Sequence, residues 1–312
     1  MLKPPPPFVV AQRYPLTVLP NFLVIGANKA GTTSLHHYLG SHPQVFISVV
    51  KEPSYFALAG TRPSRSRPDG VLTDGMVATR EGYEALFEAA QGEKAVGEVS
   101  TAYLPSERAA FRIRAEIPAA KLIAILRDPA DRARSAHAMH VSRKIEPLGS
   151  LDSAIEQELG GCSWRKYLKL GFYYDGLARY YELFGRDQVK VFLYDDFRDE
   201  PLRMLGDTFE WLGVDPTFTP DLSRRYNTSK LPVDPAFTHV VEPNSRAKAA
   251  LKRMLPKPAR RWMKKRARTW NHAQSPPRLS PETRRHLIEV FEADIRRVEA
   301  LINRDLTGWR TI

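Results

Sequence analysis

The stretch Phe22-Leu-Val-Ile-Gly-Ala-Asn-Lys-Ala-Gly-Thr-Thr-Ser-Leu35 constrains this chain more than any other. An apolar run enters a glycine turn and leaves it through a lysine and three hydroxyl residues. Four apolar residues, Phe22 to Ile25, fit a buried strand, and Thr32, Thr33 and Ser34 open a helix that carries Leu35, Tyr38 and Leu39. The turn between them reads as a phosphate cradle. A helix N-terminus presents unpaired N–H groups and the positive end of its dipole, while Gly26 and Gly31 permit backbone conformations and close approach that bulkier residues forbid. Lys29 adds a mobile positive charge.

The spacing is near the Walker A pattern G-x-x-x-x-G-K-[ST], but Thr32 follows Gly31 and the lysine falls earlier, inside the loop. In this departure, Ala27-Asn-Lys-Ala-Gly-Thr-Thr-Ser-Leu35 resembles the 5′-phosphosulfate loop of sulfotransferases that use 3′-phosphoadenosine 5′-phosphosulfate (PAPS). That resemblance implies a donor site built from Lys29, Ala30, Gly31, Thr32, Thr33 and Ser34. Its 3′-phosphate demands a second anion site. Lys121 to Leu126 is an apolar strand candidate that ends at Arg127-Asp-Pro129, with Ser135 eight positions beyond the arginine. This resembles the family's 3′-phosphate motif, and it implies a bidentate, charge-assisted pair from Arg127 and a hydroxyl bond from Ser135. Read without the resemblance, Arg127 can instead pair with Asp128 or Asp131.

After the first helix, His42-Pro-Gln-Val-Phe-Ile-Ser-Val-Val-Lys-Glu-Pro-Ser-Tyr-Phe56 resembles the Lys-Glu-x-x-Phe segment of the heparan-sulfate-type branch and its bacterial relatives. The match implies that Glu52 is the catalytic base, taking the acceptor's proton, while Lys29 stabilises charge on the leaving phosphate. The scheme requires no metal. The plainer reading of Glu52 is a surface ion pair with Lys51. Gly97-Glu-Val-Ser-Thr-Ala-Tyr-Leu104 resembles a Glu-Lys-Ser/Thr-x-x-Tyr segment, but Val99 stands where lysine is common, so an acceptor-side charge is missing. Glu98, Ser100 and Tyr103 are candidates to line the acceptor cleft, with Tyr103 better read as core. Another branch uses a histidine base, which brings in His36, His37, His137 and His140; solvated helix positions are the simpler reading of these.

Alternating helical and strand-like segments indicate an α/β fold, a single domain over residues 1–312 with a mostly parallel central sheet flanked by helices. The resemblance makes it the P-loop-like sulfotransferase fold. Strands are expected at Phe22–Ile25, Val96–Val99, Leu122–Leu126 and Val189–Leu193, a helix over Tyr173–Phe184 stopping at Gly185, and a closing helix from Ser280 to Leu301. Tyr194-Asp-Asp-Phe197 has the look of a Walker B carboxylate, but the family follows this strand with an acidic turn that has no magnesium role. Residues 1–17 form an N-terminal extension whose Pro4 to Pro7 run breaks any helical anchor. The single Cys162 excludes an intramolecular disulfide, and a cytoplasmic location is the expectation.

A late loop, Arg224 to Pro232, offers Asn227 and Lys230 as further nucleotide contacts. The net charge of +12 is concentrated between Ser245 and Trp270, with eleven Lys/Arg and no Asp/Glu. This segment, 245–270, reads as a lid or acceptor-side element, an anionic-glycan site or a membrane-surface contact. Basic balance without a reading module gives no specific nucleic-acid function. The expected activity is sulfuryl transfer from PAPS to an acceptor hydroxyl, less readily an amine, of a small molecule, lipid or glycan, releasing 3′,5′-adenosine bisphosphate. Two other classes stay open: a P-loop nucleotide kinase or NTPase with a displaced lysine, and a non-catalytic protein that binds an anionic polymer or membrane.

Overall fold

Parallel strands covered on both faces must be apolar throughout rather than alternating, and β1 (Phe22–Gly26) is buried at all five positions. β4 (Lys121–Leu126) is buried from its second residue onward. Together they form the centre of a five-stranded, all-parallel sheet in the order β2-β3-β1-β4-β5, with β2 at Val45–Ile47, β3 at Ala95–Val99 and β5 at Val189–Leu193. Phe22 pairs with Gly97 on one side and Lys121 on the other. All four sequence-predicted strands are present. The short β2 at the sheet edge was not anticipated, because three residues give no periodicity to read.

The computed structural model describes residues 18–60, 75–143, 145–146, 150–161, 166–223 and 278–312. Asn227, Lys230, Cys162 and the 245–270 segment lie outside the described residues.

The helices that carry the site start where the sequence supplies caps. Asp128 caps α5 (Pro129–Ser142), accepting from the Ala130 and Asp131 N–H groups at 2.8 and 3.1 Å, with Pro129 in the first turn. That leaves Arg127 as the last residue before the cap, at the mouth of β4. By contrast, α1 (Thr32–Leu39) starts after Gly31, which has φ +86°, and no side chain caps it. A Cβ on Gly31 would also lie 3.0 Å from the Phe197 ring, so conformation and space both require glycine.

The closing helix, Pro281–Ile302, is capped by Ser280 and buries Leu287, Phe291, Ile295 and Val298 at helical spacing. It packs on α5 and on Tyr174–Phe184, the helix expected before Gly185. Full burial of such side chains contributes about 1.5–3 kcal/mol each, and one continuous core joins both sheet faces. Order 2-3-1-4-5 makes the chain reverse direction across the sheet at β1. Loops at the carboxyl ends of β1, β3 and β4 therefore diverge around a crevice, the place where open α/β sheets hold ligands.

Candidate active site

The crevice brings together three chain segments: the loop from β1 into α1, the end of β4, and the Glu52 loop after β2, docked on the end of β3. Lys29 sits in the first with φ +69°, an uncommon conformation for a non-glycine residue. Arg127 fastens the first to the second, donating from Nη1 to the Lys29 carbonyl at 3.1 Å. Its guanidinium lies 4.5 Å from the Tyr194 ring centroid, and the Tyr173 hydroxyl donates to its carbonyl at 2.8 Å.

Neither acidic neighbour neutralises Arg127. Asp128 is committed to the α5 cap and to Arg284 at 2.6 Å, and Asp131 to Arg134 at 3.1 Å. The buried Nε of Arg127 has no hydrogen-bond partner. Ser135 is buried on α5, one helix turn beyond Arg132.

Electrostatics in this half is one-signed. Burial, followed by the positive charges of Arg143, Arg127, Arg132 and Lys51, pushes the Lys29 ammonium down from 10.5 to about 8. Arg132 and Arg143 were missed in the sequence. Arg132 shares the Ser135 face of α5 at i, i+3 spacing, a signal the chain did contain. It is fully buried, donates to the Tyr167 carbonyl, and leaves Nε and Nη1 without partners. A helix start with no side-chain cap, beside a cation cluster in which Arg127 and Arg132 keep unpartnered N–H groups, fits a multiply charged anion.

The other half carries the carboxylates. Glu52 also has positive φ, +64°, as does Ser54 at +56°. The Glu52 N–H donates to the Val99 carbonyl at 2.8 Å, which docks the loop on β3. Its carboxylate accepts from the Thr101 N–H at 2.7 Å, from the Thr101 hydroxyl at 3.0 and 3.1 Å, and from Lys51 at 2.6 Å. The expected Lys51 ion pair is thus present, but it is no mere surface pair: both side chains are largely covered, and the backbone of the turn after β3 holds the acid. A carboxylate has about four lone-pair sites. Three donated protons leave one site for a substrate proton.

Glu98, Ser100 and Tyr103 do not line a cleft; all three are fully buried, as the core reading of Tyr103 required. Alternation along β3 turns Glu98 and Ser100 to one side together. Glu98 accepts from Ser100 Oγ at 2.8 Å and from the Tyr83 hydroxyl at 3.4 Å. Burial raises its carboxyl from 4.5 to about 7 against the opposing pull of the Tyr103, Ser100 and Tyr83 hydroxyls, with the Glu52 charge adding to the rise.

The histidines also differ from expectation, since only His37 is exposed. His36 is buried against the Ser48 carbonyl at 2.8 Å and His140 against the Tyr167 hydroxyl at 2.8 Å, because α1 and α5 are covered on more faces than their polar composition suggests. After β5, the acids of 194–197 are used locally: Asp195 pairs with Arg198, while Asp196 caps the Leu193 N–H and pairs with Arg304. Between Asn28 and Thr101 opens a small cleft walled by Leu104, Leu170 and Phe172.

Comparison with known proteins agrees with this geometry. The sequence model described as "Sulfotransferase family" matches residues 20–220. Over 123 residues the chain is 35% identical to the membrane-associated sulfotransferase kil1 of Dictyostelium discoideum, covering 38% of this chain and 23% of that protein. Over 223 residues it is 27% identical to the bifunctional heparan sulfate N-deacetylase/N-sulfotransferase 1 of Caenorhabditis briggsae, covering 68% and 24%. The chain therefore spans about a quarter of the length of these curated relatives. Among solved structures, a sulfotransferase from Alicyclobacillus acidocaldarius superposes with a TM-score of 0.72 at 29% identity, over 94% of this chain and all of the other. Mouse sulfotransferase SULT7A1 complexed with PAP shares the fold, with a TM-score of 0.50 at 14% identity, over 91% of this chain and 87% of the other. Among the described residues, no helix is long and apolar enough to cross a membrane.

Proposed function

The chain belongs to the sulfotransferase family, and from that premise we propose that it moves a sulfuryl group from PAPS to an acceptor hydroxyl, releasing 3′,5′-adenosine bisphosphate. One observation carries the reading: the start of α1, which no side chain caps, lies beside the cation cluster of Lys29, Arg127 and Arg132, and the two acids that flank Arg127 in sequence are committed to other arginines. The backbone N–H groups from Ala30 to Ser34 would hold the 5′-phosphosulfate, and Arg127 with Ser135 the 3′-phosphate.

The acceptor oxygen attacks sulfur, its proton passes to Glu52, and the S–O bond to the nucleotide breaks in line. Charge then grows on the leaving phosphate. Lys29 stabilises that charge more in the transition state than in the ground state, and so accelerates the step. Fixing Glu52 by Thr101 and Lys51 orients the base before substrate arrives, at no reorganisation cost during the reaction.

The acceptor alcohol is that of a small molecule, lipid or glycan. A glycan amine is the second reading, favoured by the N-sulfotransferase relatives. Family membership removes the reasons for the kinase and non-catalytic readings. Asn227 and Lys230 remain candidates for closing over the nucleotide, and 245–270 for an acceptor-side lid or an anionic surface contact.

Calorimetric titration at fixed salt with 3′,5′-adenosine bisphosphate, 5′-AMP and magnesium-ATP tests the donor site. The bisphosphate should bind at least tenfold more tightly than 5′-AMP without added metal, and Arg127→Ala should remove most of that preference, about the loss of one hydrogen bond to a charged group. Tighter binding of magnesium-ATP would reject the assignment. PAPS turnover assays with alcohol and amine acceptors in parallel separate the two acceptor readings.

A further inference from the structure

A carboxylate with no exposed surface, hydrogen-bonded only to hydroxyls, is expensive to keep, yet Glu98 lies directly behind the loop that carries Glu52. The link between them is a short chain of bonds. Ser100 Oγ donates its proton to Glu98 at 2.8 Å, which leaves its lone pairs free, and it accepts the Ser54 N–H at 2.9 Å. Ser54 and Glu52 are the two left-handed residues of the base loop, a conformation that persists only where surroundings enforce it. The neighbouring Thr101 grips the Glu52 carboxylate itself. The end of one strand therefore holds both ends of the turn.

We propose that Glu98 is a positioning residue for Glu52, holding the 52–54 turn in its left-handed conformation through Ser100. This rests on the reading of Glu52 as the base. The ionised form does the holding. An anionic acceptor commits the Ser100 proton in a charge-assisted bond roughly twice as strong as a neutral one and so fixes the hydroxyl with its lone pairs turned to Ser54, whereas a protonated carboxyl holds Ser100 only by the weaker, neutral bond.

The titratable groups facing Glu98 are Tyr83 from the 80–84 helix, Tyr103 from the turn after β3, Tyr180 from the 174–184 helix, and Glu52. None is a cation. The hydroxyls favour the anion, Glu52 and burial oppose it, and the balance leaves Glu98 titrating near neutrality, where the grip on the base loop becomes pH-dependent.

The test is amide hydrogen exchange at Ser54, followed by NMR from pH 6 to 8 and corrected for intrinsic base catalysis. It needs neither ligand nor turnover, so its outcome is independent of whether the chain transfers sulfuryl groups. Protection in the wild type should rise with pH through neutrality. Glu98→Gln, with a neutral acceptor of the same shape, should flatten that rise, and Ser100→Ala should lower protection about tenfold at every pH, the loss of one hydrogen bond. Once an acceptor is in hand, the acid limb of kcat should move to lower pH in Glu98→Gln, with KM for PAPS unchanged. Should Glu98→Gln fail to fold, Ser100→Ala carries the test alone. Ser54 protection that is unchanged in Ser100→Ala, or that still rises with pH in Glu98→Gln, overturns the proposal.

Discussion

The two halves of the crevice solve opposite problems. On the β1/β4 side, cations are gathered with their counter-charges withheld: Asp128 and Asp131 face other arginines, and Lys29 is pushed down to about 8 by burial and by positive neighbours. On the β2/β3 side, a carboxylate is fixed by a backbone N–H, a hydroxyl and a lysine, and a second is buried behind it. The first half is frustrated until an anion arrives; the second is satisfied before any substrate binds. A site that binds a polyanionic nucleotide tolerates unmet positive charge, while a general base must already be aimed.

Removing the pre-aimed group should break this contrast most visibly. Glu52→Gln keeps the shape but cannot take a proton, and should lower turnover by about 10²–10⁴ while bisphosphate affinity stays within about twofold. Turnover like the wild type would move the base elsewhere. Lys29→Ala acts on the other half and should cost about 10²–10³ in turnover, the scale of losing one preorganised charge stabiliser. A loss confined to KM would make Lys29 a binding residue only.

Glu98 gives a thermodynamic signature that the donor side lacks. Its carboxyl is held at about 7 against an ordinary 4.5, so the folded chain binds this proton more tightly than the unfolded one. The resulting stability is fully present below pH 4.5 and is lost as pH rises through about 7, amounting to roughly 3 kcal/mol. Denaturant unfolding should show that decline in the wild type relative to Glu98→Gln; parallel curves would mean that Glu98 ionises freely.

The smallest effect sharpens the donor half. With Lys29 at about 8, part of the free protein lacks that proton at pH 8 to 9, and a bound phosphate should restore it. Calorimetry of the bisphosphate in two buffers of different ionisation heat should report uptake of up to about one proton, absent in Lys29→Ala. Equal heats in both buffers for the wild type would show that Lys29 is already fully charged.

These halves were also unequally legible. The loop from β1 into α1 was readable because strand, glycine turn and helix follow one another within fourteen residues, and Arg127-Asp-Pro129 places an arginine at the strand's end directly before the cap of the next helix. The spacing of Arg132 to Ser135 was legible, but nothing in its neighbours announces that the 166–171 segment will cover it. Histidines on α1 and α5 misled for the same reason: their helices look polar, yet packing closes over His36 and His140.

From sequence alone came the strand–turn–helix unit, the apolar strand that ends at Arg127, the parallel α/β class and the proposal that Lys29 and Glu52 act in one reaction. Each rests on short-range pattern, where a few consecutive residues dictate local geometry. The tertiary structure alone decided that Thr101, 49 residues away, grips Glu52, that Glu98 is buried behind the Glu52 loop and not in a cleft, and that Arg127 and Arg132 keep unmet donors. Burial and charge environment are properties of what packs around a residue, and that is fixed by the whole chain closing on itself.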